Sequence, residues 1–187
     1  MRYIVTTAPE DIEQQLLMML PRLRRFCIGL SGTISDGDDL CQAAIERALT
    51  NQHRFEQGTR LDSWLFRIAR NLFLNKIRAD NVRRGHLHMV QNQEHESHDG
   101  EAAGQAQIEL GRVFSEVYRL PEEQRSVLLL VAVEGFSYKE TAEISGLPIG
   151  TVTSRIARAR QSLRQLVNEE GPGLSASARR ERHDQKI

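Results

Sequence analysis

The sequence predicts an all-α protein of two small helical domains joined by a flexible linker. Apolar residues recur at helical spacing almost throughout, and the β-branched runs typical of strands are scarce. Between the two periodic halves lies a stretch rich in Gln, Asn, His and Glu, which is typical of a linker. We expect domains at residues 10–80 and 106–168, the linker at 81–105, and a disordered tail at 169–187.

Composition limits the class of protein. With 187 residues and 40% hydrophobic side chains, the chain can build packed cores. No run approaches the roughly 18 apolar residues of a membrane helix, and residues 1–10 lack the order of a signal peptide, so we expect a cytoplasmic protein without membrane insertion. Cys27 and Cys41 lie in helix-like apolar patterns and are expected to be buried reduced thiols rather than a disulfide framework.

The zero net charge conceals two basic segments. Between residues 54 and 84, eight basic residues stand against three acidic ones, and the segment 155–164 carries four arginines and no acid. Two separate basic faces indicate two contacts with a polyanion. Solvated helix faces are the alternative interpretation.

The first domain is predicted to contain three helices. The first spans about residues 16–30, as one helix or a pair bent around Pro21. Ser35 is the expected N-cap of the second, and the third runs from about Asp62 to beyond Ile77.

The third helix carries two stripes. The expected core stripe is Leu61, Leu65, Ile68 and Leu72. The adjacent stripe is Trp64, Arg67, Asn71 and Arg78. An aromatic ring, cations and an amide can stack on bases, follow phosphates and bond an unpaired base edge. The second stripe therefore predicts a single-strand platform, with Trp64 as a simple core residue as the alternative.

The second domain carries the pattern of a helix-turn-helix. After a helix that Pro121 ends, another is expected at about residues 123–133, and Ser137 with Glu140 forms a capping box. Gly146 permits a tight turn, and Pro148 suits the first turn of the next helix. An ordinary αα-hairpin is the alternative.

The last helix has opposite apolar and polar faces. Its apolar stripe is Val152, Ile156, Ala159, Leu163 and Leu166. The opposite face, with Ser154, Ala157, Arg158 and Gln161, is short, polar and cationic, as a groove-reading face requires. Arg155 and Arg160 flank this face and are expected to meet phosphates.

Five segments together resemble the extracytoplasmic-function sigma factors. They are residues 38–42 (DDLCQ), 58–71 (GTRLDSWLFRIARN), 120–125 (LPEEQR), 135–140 (GFSYKE) and 148–160 (PIGTVTSRIARAR). The resemblance covers both halves in the family's order. It implies a sigma region 2 domain and a sigma region 4 domain that bind the clamp and flap of core RNA polymerase and direct initiation at promoter DNA, with no cofactor.

The resemblance also implies roles for individual residues. It implies that the polymerase clamp is contacted by Asp39, Gln42 and Arg47. The melted strand of the minus-ten element would meet Phe55, Trp64, Arg67, Asn71 and Arg78. The minus-thirty-five duplex would meet Thr151, Thr153, Ser154, Arg155, Arg158 and Gln161. Many members carry Arg where this chain has Thr153 and a bulkier residue at Ala157, so the duplex sequence it reads stays open.

The sequence gives less support to other functions. No glycine-rich phosphate loop and no nucleophile in a recognisable frame is present, so an enzyme is not expected. A metal site at His86, His88, His95 and His98 is disfavoured by their irregular spacing. A conventional helix-turn-helix regulator would leave segments 38–42 and 64–71 unexplained.

Segments 58–66 and 133–138 also resemble the general-stress subgroup of the family, which implies an anti-sigma protein as partner. A sigma-like decoy that sequesters that protein is the remaining alternative. Such decoys resemble sigma domains fused to a receiver domain, for which this chain is expected to have no room.

Overall fold

The computed structural model describes residues 9–56, 58–86 and 116–169, and these contain helices but no strand. The all-α prediction is therefore confirmed for this part of the chain. Its α-helices are α1 (Pro9–Ser31), α2 (Ile34–Thr50), α3 (Leu61–His86), α4 (Glu122–Ala132), α5 (Tyr138–Ser145) and α6 (Ile149–Glu169). A 3₁₀ turn occupies Gln52–Arg54, and residues 116–119 are helical.

Helices α1 and α2 pack closely against each other. Pro21 lies inside α1 without ending it, so the first element is one helix rather than a pair. The N-cap of α2 is Thr33, whose Oγ1 accepts from the Asp36 amide at 3.1 Å. The predicted cap at Ser35 is wrong, because the extended backbone that a cap needs occurs two residues earlier.

The core face of α3 is rotated from the predicted one. Leu61 and Leu65 are buried, but Ile68 and Leu72 are only half-buried. The deepest positions are Leu65, Phe66, Ala69 and Phe73. Helix α3 packs against three helices, α1, α2 and α5. Its buried face is therefore wider than the single apolar stripe of a helix that packs against one neighbour. Cys27 and Cys41 are free and buried, as predicted.

Helix α3 continues through residues 81–86, which the sequence had assigned to the linker. Within this last part of α3, Arg83 pairs with Asp80 one turn earlier at 2.8 Å. The rest of the predicted linker, the tail after residue 169, and His88, His95 and His98 lie outside the described residues.

The second domain folds around the turn between α5 and α6. The capping box is confirmed: the Glu140 amide donates to Ser137 Oγ at 3.2 Å, and the Ser137 amide donates to Glu140 Oε2 at 2.7 Å. Gly146 ends α5 in the left-handed region, with φ of 66°. Helix α6 begins just after Pro148 rather than at it. Of its predicted apolar stripe, Val152, Ile156 and Ala159 are buried and Leu163 is half-buried, while the side chain of Leu166 lies outside the described residues.

The two domains pack against each other, α1 against α4 and α3 against α5. The main core cluster continues across the contact, and the ring of Phe66 meets that of Phe136 edge-on with centroids 5.4 Å apart. A Cβ built on Gly29 would lie 3.0 Å from Leu129 Cδ1, so α1 and α4 are in close contact. This packing decides which parts of α3 remain accessible.

Candidate nucleic-acid and polymerase interfaces

Helix α6 presents a polar, cationic surface. Thr153, Ser154, Arg158 and Gln161 are exposed, whereas Thr151 is half-buried. The two exposed hydroxyls donate to carbonyls of their own helix, Thr153 to Ile149 at 2.9 Å and Ser154 to Thr151 at 3.0 Å. Because a hydroxyl oxygen that donates keeps its lone pairs, each can still accept from a base amino group.

Arg155 is placed differently from its neighbours on α6. Its guanidinium pairs with Glu123 on α4, and its side chain is only 19% exposed. This ion pair links α6 to α4 within the C-terminal domain. Arg158, one turn further along, is exposed and has no such partner within the described residues, so it is the better placed of the two to reach DNA.

Two residues of the predicted single-strand platform, Phe55 and Trp64, lie against each other. The ring of Phe55, in the loop before α3, packs against Trp64 with centroids 5.4 Å apart, and both are half-buried at the edge of the core. Asn71 and Arg78 are exposed further along the helix. Trp64 therefore contacts both the core and an aromatic neighbour.

Arg67 and Arg70 of α3 lie where the two domains meet. Arg67 Nη2 donates to the carbonyl of Glu143 at 2.5 Å, and Arg70 Nη1 donates to that of Ser145 at 3.2 Å. Both carbonyls belong to the C-terminal end of α5. Sequence reasoning missed the bond from Arg70 to the end of α5, because nothing in the local pattern of Arg70 distinguishes it from Arg67.

The predicted polymerase-binding residues lie on the exposed side of α2. Asp39, Gln42 and Arg47 are all solvent-accessible, and Gln42 Nε2 donates to Glu46 Oε1 at 2.9 Å. Glu46 is therefore part of the same exposed surface. Sequence reasoning missed it, although its position four residues after Gln42 places the two side chains side by side on a helix. A bidentate pair between Asp38 and Arg24, at 2.6 and 3.0 Å, ties the start of the surface to α1.

The described residues contain no group of three side chains that could hold a metal ion, and no helix among them is long and apolar enough to cross a membrane. The three predicted surfaces lie on α2, α3 and α6, so each belongs to a different helix.

Comparisons with known proteins assign both domains. The profile of sigma-70 region 2 matches residues 17–83, and that of sigma-70 region 4 matches residues 117–163. The ECF RNA polymerase sigma factor EcfG of Rhodopseudomonas palustris is 35% identical over 162 residues, which cover 87% of this chain and 88% of EcfG.

Solved structures give the same result. The structure of the sigma factor RpoE in complex with the anti-sigma factor NepR from Bartonella quintana matches with a TM-score of 0.69 and 33% identity, over 87% of this chain and 99% of that one. The anti-anti-sigma factor PhyR complexed with NepR, also from Bartonella quintana, matches with a TM-score of 0.57 over 83% of this chain and 50% of that one. At 20% identity, it shows the fold alone.

The two domains and their exposed surfaces define a sigma-70-type transcription initiation factor, a class of DNA-binding proteins. The identity and coverage of its relatives place it more narrowly. The chain belongs to the ECF RNA polymerase sigma factor family.

Proposed function

We propose that the chain binds core RNA polymerase and directs it to promoters, reading the minus-thirty-five duplex with α6 and opening the minus-ten element with α3. The observation that carries the proposal is the division of exposed polar surfaces between the region 2 and region 4 domains. A protein that must hold two separated promoter elements needs one such surface in each domain.

The α6 surface suits a major groove. From Ile149 to Asn168 the helix carries no acid, and its four arginines lie between residues 155 and 164, so a phosphate backbone is attracted to that part of the helix. Exposed Arg158 can bond guanine through two N–H groups, while Ser154 and Gln161 can bond other base edges. The small side chains of Gly150 and Ala157 let the helix approach the bases.

The α3 surface suits an unpaired strand. A base can stack on the Phe55 and Trp64 rings, and Asn71 can bond its edge once it leaves the duplex. Flipping a base costs a few kcal/mol of lost stacking, which such contacts must offset. Arg67 and Arg78 would follow the strand's phosphates.

The proposed function includes protein partners and a location in the cell. Asp39, Gln42 and Arg47 on α2 would contact the polymerase clamp, and the region 4 domain would contact the flap. The protein would act by binding alone, in the cytoplasm, without an enzymatic activity or a cofactor. An anti-sigma protein like NepR would regulate it, in keeping with the general-stress subgroup to which EcfG and RpoE point.

Transcription in vitro with core polymerase and a pool of genomic promoters tests the proposal. The chain should direct initiation at a specific subset of promoters. If it bound an anti-sigma protein such as NepR but neither bound core polymerase nor directed initiation, the chain would instead be a decoy like PhyR.

Two variants test the division of labour. Arg158→Ala should weaken binding to promoter duplex by about 1–3 kcal/mol, because it removes a bidentate base contact. Asn71→Ala should leave duplex binding unchanged and slow promoter opening, measured by permanganate footprinting. Equal losses of duplex affinity in both variants would contradict this assignment.

A further inference from the structure

The exposed side of α6 carries a row of uncharged side chains that end in methyl groups. Side chains four residues apart on a helix lie beside each other, so positions 149, 153 and 157 form one line along it. Ile149, Thr153 and Ala157 occupy that line, and all three are exposed. Each offers at least one methyl group, and we call this line the methyl row.

The methyl row lies in a surface that is otherwise polar and cationic. Ser154 and Arg158 are exposed on the next row of the helix. Arg160 and Arg164, also exposed, continue the line of the methyl row. These arginines attract a phosphate backbone. Because the methyl row and the arginines share one side of the helix, a duplex that binds the arginines also meets the methyl row.

Ile149 is the largest side chain of the row and is 55% exposed. The neighbouring aliphatic residues of α6, Val152 and Ile156, are 0% and 1% exposed, so they supply the packing of this part of the helix. A single exposed isoleucine is ordinary on a protein surface. Ile149, however, is the first residue of α6, and the N-terminal end of the second helix in a helix-turn-helix is the end that contacts base edges. Its exposure therefore places an apolar side chain where a groove is read.

The local structure leaves the methyl groups of the row accessible. Thr153 Oγ1 donates to the Ile149 carbonyl at 2.9 Å, which commits the hydroxyl proton to the backbone. The Cγ2 methyl is then the part of Thr153 that can contact an apolar group. A Cβ built on Gly150 would meet nothing within 4 Å, so the space beside the row is open. An approaching base pair can therefore reach it.

Thymine is the base that such a row can recognise. In the major groove of an unmodified duplex the one apolar group that distinguishes the bases is the C5 methyl of thymine, and the others are hydrogen-bond donors or acceptors. Phosphates and sugars carry no sequence information directly. A methyl row in a groove-reading surface therefore favours A·T pairs over G·C pairs, because it buries the thymine methyl.

We propose that the methyl row recognises thymine C5 methyl groups in the minus-thirty-five duplex, with Ile149 making the largest contact. The inference rests on the proposed function, which assigns α6 to that duplex. The row spans two turns of helix, about 12 Å, which is the rise of about three or four base pairs. The contacted thymines therefore lie within about four adjacent pairs, on either strand.

Removal of single thymine methyl groups tests the proposal. Transcription from the pool of genomic promoters gives the minus-thirty-five sequence that the holoenzyme, the chain bound to core polymerase, prefers. Each thymine in that element is replaced in turn by deoxyuridine, which lacks only the C5 methyl and keeps the hydrogen-bonding groups of the base. The readout is the relative affinity of the holoenzyme for the substituted and unsubstituted promoters, measured by competition in one reaction.

Ile149→Ala removes most of the apolar side chain, and Ile34→Ala is its matched control. Ile34 is also an isoleucine at the first position of its helix, α2, and is 64% exposed. Because both side chains are largely exposed, both variants should keep the fold, which circular dichroism and thermal unfolding check.

We expect deoxyuridine to weaken binding by the unaltered holoenzyme about fourfold at one or two thymines, the effect of one buried methyl-sized group. The loss should be the same with Ile34→Ala and below about 1.5-fold with Ile149→Ala. A minus-thirty-five element without thymine in either strand, no effect of deoxyuridine, or an undiminished effect in Ile149→Ala would overturn the proposal. If the holoenzyme initiated at no specific promoters, the proposed function would fail instead, so the two failures are distinguishable.

Discussion

Gly37 permits the tight packing of α1 on α2, and Gly37→Ala tests that packing. A Cβ at this position would lie 2.6 Å from the Ile28 Cα and 2.8 Å from its backbone nitrogen. The Ile28 side chain, whose Cγ1 would also be 2.6 Å away, could rotate, but the backbone of α1 could not. The two helices must therefore separate to accommodate one methyl group.

Two opposing contributions set the magnitude. Replacing a helical glycine by alanine stabilises a helix by about 0.5–1 kcal/mol. Overpacking a tight contact costs about 1–3 kcal/mol. We expect Gly37→Ala to lower the free energy of unfolding by about 1–2 kcal/mol. For a chain of this size that corresponds to a fall in Tm of roughly 2–8 °C.

Gly150→Ala is the matched control, because Gly150 also lies in a helix but a Cβ there would meet nothing within 4 Å. Urea unfolding followed by circular dichroism gives both free energies. Gly150→Ala should be neutral or slightly stabilising. An unfolding free energy of Gly37→Ala equal to or above that of the unaltered chain would refute the reasoning. Movement of α2 should also weaken binding to core polymerase, since Asp39 lies two residues beyond Gly37 on that helix.

The capping box at Ser137 and the buried thiol of Cys27 can each be tested separately. Ser137→Ala removes the acceptor of the capping box and should lower the free energy of unfolding by about 1 kcal/mol in urea, whereas Ser137→Thr, which keeps the hydroxyl, should lose much less. Iodoacetamide at neutral pH should leave Cys27 unmodified in the folded protein, because a hydrogen bond to Cys41 and burial raise the pKa of its thiol. Peptide mass spectrometry should detect alkylation of Cys27 only after unfolding in guanidinium, and modification of the native chain would contradict the buried, protonated state.

The features that the sequence predicted correctly are local ones. The capping box and the turn at Gly146 depend on residues within a few positions of each other, so their geometry follows from the chain itself. The buried part of the apolar stripe of α6, which packs against α4 and α5, was also predicted. The core face of α3 was predicted less well, because three helices surround it and several faces are buried at once.

The partners of the arginine side chains could not be predicted from the sequence of this protein. Arg155 and Arg158 lie three residues apart on one basic helix, yet Arg155 pairs with Glu123, which is 32 residues earlier, while Arg158 is exposed. Arg67 and Arg70 likewise find carbonyl acceptors more than 70 residues away. A guanidinium offers the same planar donors to a carboxylate, a helix end or a phosphate, so its neighbours in sequence do not reveal its partner.

The same ambiguity gives the arginines of α3 two possible uses. The occupancy of the donors depends on both the effective concentration and the affinity of each acceptor, and the C-terminal domain, being part of the same chain, is always nearby. Promoter DNA held by polymerase would become a local acceptor as well, with full negative charge rather than the partial charge of a helix end. Raising the salt concentration should therefore weaken binding to promoter DNA more steeply than it weakens the contact between the domains.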